Sequence, residues 1–274
     1  SVWEEVKPLY DALHCHVRSQ LNEYYGDEIV PPEGSLPVHL TGNMWGQSWS
    51  NIYDLVYPQA SQTKSVDVTK IIKDRNINET EMVEYAEDFF LSMGFEPLPD
   101  TFWERSLFIK PQDRSVVCHA SAWNLDSTNN DLRIKMCIEK NEEDFITIHH
   151  ELGHIFYYQA YNHLPTLFQG GANDGFHEAF GDLLTLSITP DYLEKIGFVS
   201  EDEAKLAKND SIGLLMKQAL EGVVVIPWAL MLDKWRAGVF TGDIAENELN
   251  KAWWDMRESY QGISPPNKRS EKYF

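Results

Sequence analysis

The 274-residue chain is poor in positive charge and in long apolar runs. It has 23 Lys and Arg against 43 Asp and Glu, which gives a formal net charge of −20. So acidic a chain argues against binding to nucleic acid or to anionic membrane surfaces. No apolar run reaches the roughly 20 residues of a membrane-spanning helix, and the longest, near 223–232, contains Pro227. We therefore expect no nucleic-acid partner and no membrane segment in this chain.

Cysteine is scarce as well. Three cysteines allow at most one intrachain disulfide bond, with one thiol left over. Cys15 lies in a predicted helix, where we expect a buried unpaired cysteine in preference to a free or intermolecular thiol. Two Asn-x-Ser/Thr sequons, at Asn78 and Asn209, favour a secreted or extracellular glycoprotein when taken with a plausible disulfide. No signal peptide opens the sequence, so a secreted protein would begin here after processing or truncation.

Hydrophobic periodicity predicts a mainly α-helical fold. Apolar residues recur at three- and four-residue steps in five long segments, 1–26, 79–93, 142–158, 212–236 and 244–260. Short helices are expected near Tyr53 and over residues 68–73, and the Pro-rich segments 29–46 and 95–115 are expected to be loops. Alternating residues at 116–123 and 131–138 predict an antiparallel hairpin. Helix breaks are expected at Pro190, Gly197 and Gly213, with a kink at Pro227.

One helix carries a metal-ligand pattern, His150-Glu151-Leu152-Gly153-His154. Residues i and i+4 of a helix share a face, so both imidazoles can point at one ion. Glu151 stands beside them, as does the general base that activates the metal-bound water in zinc peptidases. A five-residue match also occurs by chance, and both histidines could be ordinary helix residues.

A second helix offers a further acidic pair, Glu178 and Asp182, again four residues apart. A catalytic zinc takes three protein ligands, so Glu178 could be the third. Asp182 could accept a hydrogen bond from the outer nitrogen of a ligand histidine. Because Phe176, Phe180 and Leu183 surround this pair, we expect both acids to be buried and to need a partner, which disfavours a solvated acidic face.

These motifs resemble the angiotensin-converting enzyme family of zinc peptidyl-dipeptidases. The resemblance rests on residues 150–154, 170–182, 117–123 and 42–53, and it runs along essentially the whole chain. It covers only part of a family catalytic domain. We therefore expect residues 1–274 to be the central part of a single metallopeptidase catalytic domain, truncated at both ends.

The resemblance implies a helical zincin of the gluzincin type, with a short antiparallel β-hairpin beside the zinc helix. In such a fold His150, His154 and Glu178 would hold Zn²⁺, Glu151 would be the catalytic base, and Asp182 would support a ligand histidine. The resemblance also implies a disulfide bond between Cys118 and Cys137.

The family pattern implies further ligand contacts. Gln47 would bind the C-terminal carboxylate of the peptide; the branch that removes a single residue has an arginine there. His119 and the backbone of Ala120 and Ala122 would bind the substrate backbone. Glu143 and Thr147 would line the pocket for its last two residues. A buried chloride would be held partly by Trp253 and Arg257.

The predicted function is therefore zinc-dependent hydrolysis of peptides with a free C-terminus, releasing dipeptides. The family's continuation supplies a Lys and a His that bind substrate and a Tyr that stabilises the oxyanion, and none of these is in the chain. Two alternatives stay open. One is a non-catalytic zinc-binding fragment or truncated homologue that binds peptides or a partner. The other is a single-residue carboxypeptidase, which Gln47 disfavours.

Overall fold

The computed structural model of the protein describes residues 2–57, 66–209 and 211–273. The helices are, in chain order, α1 (Val2–Tyr25), α2 (Tyr53–Val56), α3 (Val68–Asp74), α4 (Glu79–Ser92), α5 (Asp100–Arg105), α6 (Glu142–Asn162), α7 (Asp174–Thr185), α8 (Pro190–Lys195), α9 (Glu201–Asn209), α10 (Ser211–Gln218), α11 (Val225–Thr241) and α12 (Leu249–Met256). The strands are β1 (Leu36–Pro37), β2 (Ser121–Asp126), β3 (Asp131–Lys135) and β4 (Ile263–Ser264). The mainly α fold with a short hairpin is as predicted.

The chain divides into two compact units. One comprises Ser1–Ser65 and Asp210–Phe274, and the other comprises Val66–Asn209. In the first unit β1 pairs in parallel with β4, and in the second β2 pairs antiparallel with β3. The metal-ligand motif, the hairpin and the second acidic motif all belong to the second unit.

Helix α6 forms the centre of the second unit. Asn141 caps its N-terminus by accepting a hydrogen bond from the Asp144 amide at 2.7 Å. Three acidic residues in the first turn interact favourably with the positive end of the helix dipole. The apolar face predicted for this helix is fully buried, at Phe145, Ile148, Leu152, Ile155 and Phe156. The ring of Phe156 stacks on Phe90 of α4 at 4.3 Å. Packing of this face against the core therefore holds the metal-ligand motif on a rigid element.

The hairpin lies against α6, and its strands are offset from the prediction. Pairing begins at Ser121 and extends to Asp126, and residues 116–120 lie outside the strand. On β3, Leu132 and Ile134 are buried in the core, and the backbone of Leu107 bonds to the outer edge of this strand. Among the described residues no strand pairs with the outer edge of β2.

The disulfide bond between Cys118 and Cys137 is present, as predicted. Cys15 is a free thiol on the exposed side of α1, so the expectation that it is buried was wrong. The apolar stripe of α1 runs through Leu13 and Val17, and position 15 lies off that stripe.

Loss of the disulfide is expected to destabilise the protein by about 3 kcal/mol, because its closure spans 19 residues. Urea unfolding of a Cys118→Ser/Cys137→Ser variant, compared with wild type, measures this loss. Cys15→Ser is the matched control and is expected to leave the unfolding free energy unchanged. Equal stability of the double variant and wild type would contradict the prediction.

Three other local expectations were wrong. Residues 95–115 include helix α5, which begins directly after Pro99. Gly213 lies inside α10 and does not break it. The irregularity in the long apolar segment is a π-helical turn at Ala219–Val223, while Pro227 lies in the first turn of α11, where a missing N–H costs little.

One stretch of the described residues, Ile212–Thr241, is long and apolar enough to cross a membrane by length and composition. This is weak evidence, since the core helix of a soluble protein meets the same criteria. The expectation that the chain has no membrane segment stays a prediction.

The core of the first unit contains a histidine with a defined hydrogen-bonding pattern. His14 Nε2 lies 2.9 Å from the Gly262 carbonyl oxygen, and Arg18 Nη2 lies 3.0 Å from His14 Nδ1. A carbonyl only accepts and a guanidinium only donates, so Nε2 carries the proton and Nδ1 is bare. Burial is the main cause that lowers the pKa of His14. The hydrogen bond to Gly262 is the next largest effect and opposes it, while the charge of Arg18 lowers the pKa further.

Protonation of His14 is therefore expected to destabilise the protein as the pH falls. The folded-state pKa of His14 lies below the unfolded value of about 6.5, so the unfolded chain binds the proton first as the pH falls. The free energy of unfolding therefore has its full value above pH 6.5 and decreases below it. Urea unfolding of wild type and His14→Gln at pH 7.5 and 5.5 tests this. The difference in unfolding free energy between the two should shrink at the lower pH; a constant difference would contradict the prediction.

Candidate metal centre

Helices α6 and α7 approach each other through two glycines. A Cβ atom built on Gly153 would lie 2.9 Å from the Cα of Gly181. A Cβ atom on Gly181 would lie 2.8 Å from His150 Nδ1 and 3.0 Å from its carbonyl oxygen. Real Cβ contacts are essentially never so short, so only glycine permits this approach. It brings the acids of α7 against the histidines of α6.

The three expected ligand residues converge on one point. His150 Nε2 and His154 Nε2 are 3.1 Å apart, and Glu178 Oε2 lies 3.3 Å from the first and 3.6 Å from the second. A tetrahedral zinc with bonds of about 2.0–2.1 Å separates its ligand atoms by about 3.3 Å. Two imidazole nitrogens and one carboxylate oxygen are also a usual donor set of catalytic zinc. The group His150, His154 and Glu178 therefore fits a zinc ion.

The outer nitrogens of the two histidines also have partners. His150 Nδ1 lies 2.9 Å from Asp182 Oδ1. The Asp182 hydrogen bond is the largest cause that raises the pKa of His150. His154 Nδ1 lies 3.0 Å from Nδ1 of His177, whose Nε2 is 3.1 Å from Tyr161 Oη. A hydrogen bond at Nδ1 thus orients each of the two histidine rings.

The acids themselves are not buried, contrary to the prediction. The side chains of Glu178 and Asp182 are 68% and 75% exposed, and neighbouring Phe176 and Leu183 are exposed as well. Helix α7 contacts α6 through the side that carries Gly181, and its Phe180 and Leu184 are partly buried against the core of the second unit.

Glu151 is buried beside the metal group, and no described residue forms a hydrogen bond with its carboxylate. Burial is the main cause that raises its pKa, the nearby charge of Glu178 raises it further, and His150 and His119 oppose the shift. A carboxylate in this position is available to a water molecule, which suits a general base.

The predicted substrate-binding residues of the second unit lie on the segment before β2, on β2 itself and in the first two turns of α6. His119 is exposed, and its Nδ1 lies 2.8 Å from the Ala120 carbonyl oxygen. The small side chains of Ala120 and Ala122 pack on the core cluster. Glu143 is exposed, and Thr147 donates its hydroxyl proton to the Glu143 carbonyl oxygen at 2.9 Å.

The residues predicted for the first unit include a buried cation. Arg257 is 2% exposed, it lies over the rings of Trp253 and Trp254 at 5.7 Å and 5.0 Å, and its Nη2 donates to the Trp45 carbonyl. Burial lowers the pKa of Arg257 to about 10. Among the described residues no carboxylate forms an ion pair with it. The side-chain oxygen of Gln47 is buried and has no hydrogen-bond partner in the described part of the chain.

The whole chain matches a known peptidase family. The profile of peptidase family M2, described as angiotensin-converting enzyme, matches residues 1–274. The chain belongs to the angiotensin-converting enzyme family. An angiotensin-converting enzyme of Haematobia irritans exigua is 45% identical over 280 residues, and one of Bos taurus is 45% identical over 275 residues. Both alignments cover 100% of this chain, which spans 44% and 21% of the two relatives.

Membership of this family implies a zinc cofactor, in agreement with the donor set on α6 and α7. Sequence reasoning missed Gly153, Gly181, His177 and Tyr161. Gly153 and Gly181 could have been found from the sequence, because they lie inside the two motifs that carry the proposed ligands. For His177 only its place next to Glu178 hinted at a role, since its partners lie on another helix.

Proposed function

We propose that this protein is part of a zinc-dependent peptidyl-dipeptidase that cleaves dipeptides from the C-terminus of peptides. The convergence of His150, His154 and Glu178 beside the buried Glu151 carries this proposal. Family membership supports peptide hydrolysis as the reaction.

Each residue of the candidate site has a proposed role in hydrolysis. His150, His154 and Glu178 would hold zinc, which when bound polarises the scissile carbonyl and acidifies a water molecule. Glu151 would take a proton from the water that attacks the scissile carbonyl and would pass it to the amine released when the C–N bond breaks. Asp182 keeps the His150 ring oriented through its 2.9 Å hydrogen bond.

Substrate is proposed to bind along β2. Its outer edge has no paired strand among the described residues, and an extended peptide can add to such an edge by backbone hydrogen bonds. The backbone of Ala120 and Ala122, with His119, would contact the peptide, and Glu143 and Thr147 would line the pocket for its last residues. The role of Gln47 in binding the terminal carboxylate stays a prediction from the family resemblance.

Arg257 is the proposed chloride-binding residue, together with Trp253. The guanidinium is buried, and its partners, two indole rings, the Trp45 carbonyl and the side chain of Gln261, are all uncharged, so an anion would balance its charge. Replacing chloride with acetate in the assay buffer would be expected to lower the activity.

A non-catalytic zinc-binding role is the second candidate, and the exposure of Glu178 favours it. A ligand that is 68% exposed belongs to a metal site that is open to water, whereas catalysis gains from exclusion of water. A hydrolysis assay separates the two candidates. A peptide with a free C-terminus should be cleaved and its C-terminally amidated twin should not, with activity lost to a zinc chelator and restored by zinc. Zinc binding without cleavage would favour the second candidate.

An extracellular location is proposed from the disulfide and the sequons. Asn78 is exposed and caps α4, its side-chain oxygen accepting a hydrogen bond from the Glu81 amide at 3.0 Å. The side chain of Asn209 and residue Asp210 lie outside the described part of the chain.

The Asn78 glycan and the Asn78 cap can be separated. After secretion from eukaryotic cells, Thr80→Ala should remove one glycan mass and leave thermal stability nearly unchanged. Asn78→Ala should remove the same mass and also cost about 1 kcal/mol of stability through loss of the cap. Mass spectrometry and thermal unfolding measure both effects, and identical masses for wild type and Thr80→Ala would contradict glycosylation at this site.

A further inference from the structure

His177 lies one residue before the ligand Glu178 on α7, and its ring points into α6. Its Nδ1 lies 3.0 Å from His154 Nδ1, and its Nε2 lies 3.1 Å from Tyr161 Oη. Its ring contacts those of Tyr157 and Tyr158, with centroids at 4.5 Å and 4.8 Å. The three side chains His154, His177 and Tyr161 thus form one continuous hydrogen-bonded row.

The metal determines where the protons of this row lie. His154 turns its Nε2 towards His150 and Glu178, so Nε2 is the ligand atom. A neutral histidine that binds zinc through Nε2 carries its proton on Nδ1 and must donate it. The acceptor that the structure offers there is His177 Nδ1, which must therefore be bare. The proton of His177 then lies on Nε2 and is donated to the hydroxyl oxygen of Tyr161.

We propose that His177 is a positioning residue of the zinc site, which fixes the tautomer and ring angle of His154 and is itself fixed by Tyr161. The inference rests on the proposed zinc site. The two ligand histidines then have different partners at Nδ1: His150 is hydrogen-bonded to the carboxylate of Asp182, and His154 to the neutral imidazole of His177. Neighbouring groups hold the His177 ring in place: a Cβ atom on Gly171 would lie 3.0 Å from its Cδ2, so that glycine leaves room for the ring.

The prediction follows from the acceptor that His177 provides. His177→Phe keeps an aromatic ring between the tyrosines but cannot accept, so zinc affinity should fall about 10- to 100-fold, as it does for other partners of ligand histidines. His177→Asn places a carbonyl oxygen near the position of Nδ1 and should restore most of the affinity. Tyr161→Phe should weaken zinc binding in the wild-type background and have no further effect beside His177→Phe.

The experiment measures the zinc Kd by competition with a chromophoric chelator, together with the visible spectrum of the cobalt(II)-substituted protein. Tyr158→Phe is the matched control, because Tyr158 contacts the His177 ring but does not hydrogen-bond to it. It should bind zinc as wild type does. The cobalt spectrum should change in His177→Phe and return towards wild type in His177→Asn, which a merely structural role would not produce.

Two results would overturn the inference. One is a zinc Kd and a cobalt spectrum unchanged in both His177→Phe and Tyr161→Phe. The other is an equal loss in His177→Phe and His177→Asn, which would assign the effect to ring packing. If His177→Phe does not fold, Tyr161→Phe still tests the row. Failure of the wild-type protein itself to bind zinc would instead overturn the proposed metal centre, so the two failures are distinguishable.

Discussion

Replacing Glu151 with Gln is expected to lower the rate of peptide hydrolysis by about 10²- to 10⁴-fold, the usual contribution of a general base. The amide has the size of the carboxylate but cannot accept the proton of the attacking water. Zinc should remain bound, since His150, His154 and Glu178 are unchanged. Stability should be equal or higher, because the substitution removes a buried carboxylate that no described residue hydrogen-bonds.

Steady-state kinetics on a peptide substrate, with zinc content measured on the same samples, tests this expectation. Glu142→Gln is the matched control, since it removes an acid from the first turn of the same helix, two turns away from the metal group. It should keep wild-type turnover. Undiminished turnover in Glu151→Gln would refute the proposed role of Glu151, and loss of zinc would assign the defect to the metal site.

Replacing Gly181 with Ala is expected to weaken zinc binding more than the substitutions proposed at His177 and Tyr161. The added Cβ would meet His150 Nδ1 at 2.8 Å and the His150 backbone oxygen at 3.0 Å, so α7 has to move away from α6. Glu178 and Asp182 would move with it, which removes a ligand and an outer partner together. The affinity for zinc should therefore fall by about 100-fold or more, beyond the usual effect of one outer partner.

Gly170→Ala provides the control for this substitution. It lies shortly before α7, and a Cβ atom there would meet nothing within 4 Å. Zinc affinity should stay at the wild-type value in Gly170→Ala. Gly153→Ala should act through the same contact as Gly181→Ala, so the two losses should not add. A wild-type zinc Kd in Gly181→Ala would show that the glycine contact does not position α7.

Helical periodicity was sufficient to predict that His150 and His154, the proposed zinc ligands on α6, come together. Two histidines four residues apart on a buried helix can hardly avoid sharing a face, and the structure places their Nε2 atoms 3.1 Å apart. The same reasoning paired Asp182 with a ligand histidine. It could not identify His177, because the partner atoms of that residue lie on a helix more than ten positions earlier in the chain.

Burial was harder to predict than helix position. The apolar pattern around Glu178 indicates an amphipathic helix, but it does not show whether another element covers that face, and Phe176 and Leu183 remain exposed. Strand β2 starts later than its alternation suggested. Its first residue, Ser121, pairs with Lys135, and the backbone after Lys135 bonds to Leu107 and Phe108. Pro99 was interpreted as a loop signal although proline also precedes and begins helices.

The measurement that tests the central claim most directly is mass spectrometry of the products from a decapeptide with a free C-terminus. The protein loaded with zinc is predicted to release a C-terminal dipeptide and leave an octapeptide, and a zinc chelator should abolish both products. Release of a single residue would contradict the role of Gln47. An intact decapeptide, with one zinc bound per chain, would contradict catalysis by this chain and leave the metal site without the proposed activity.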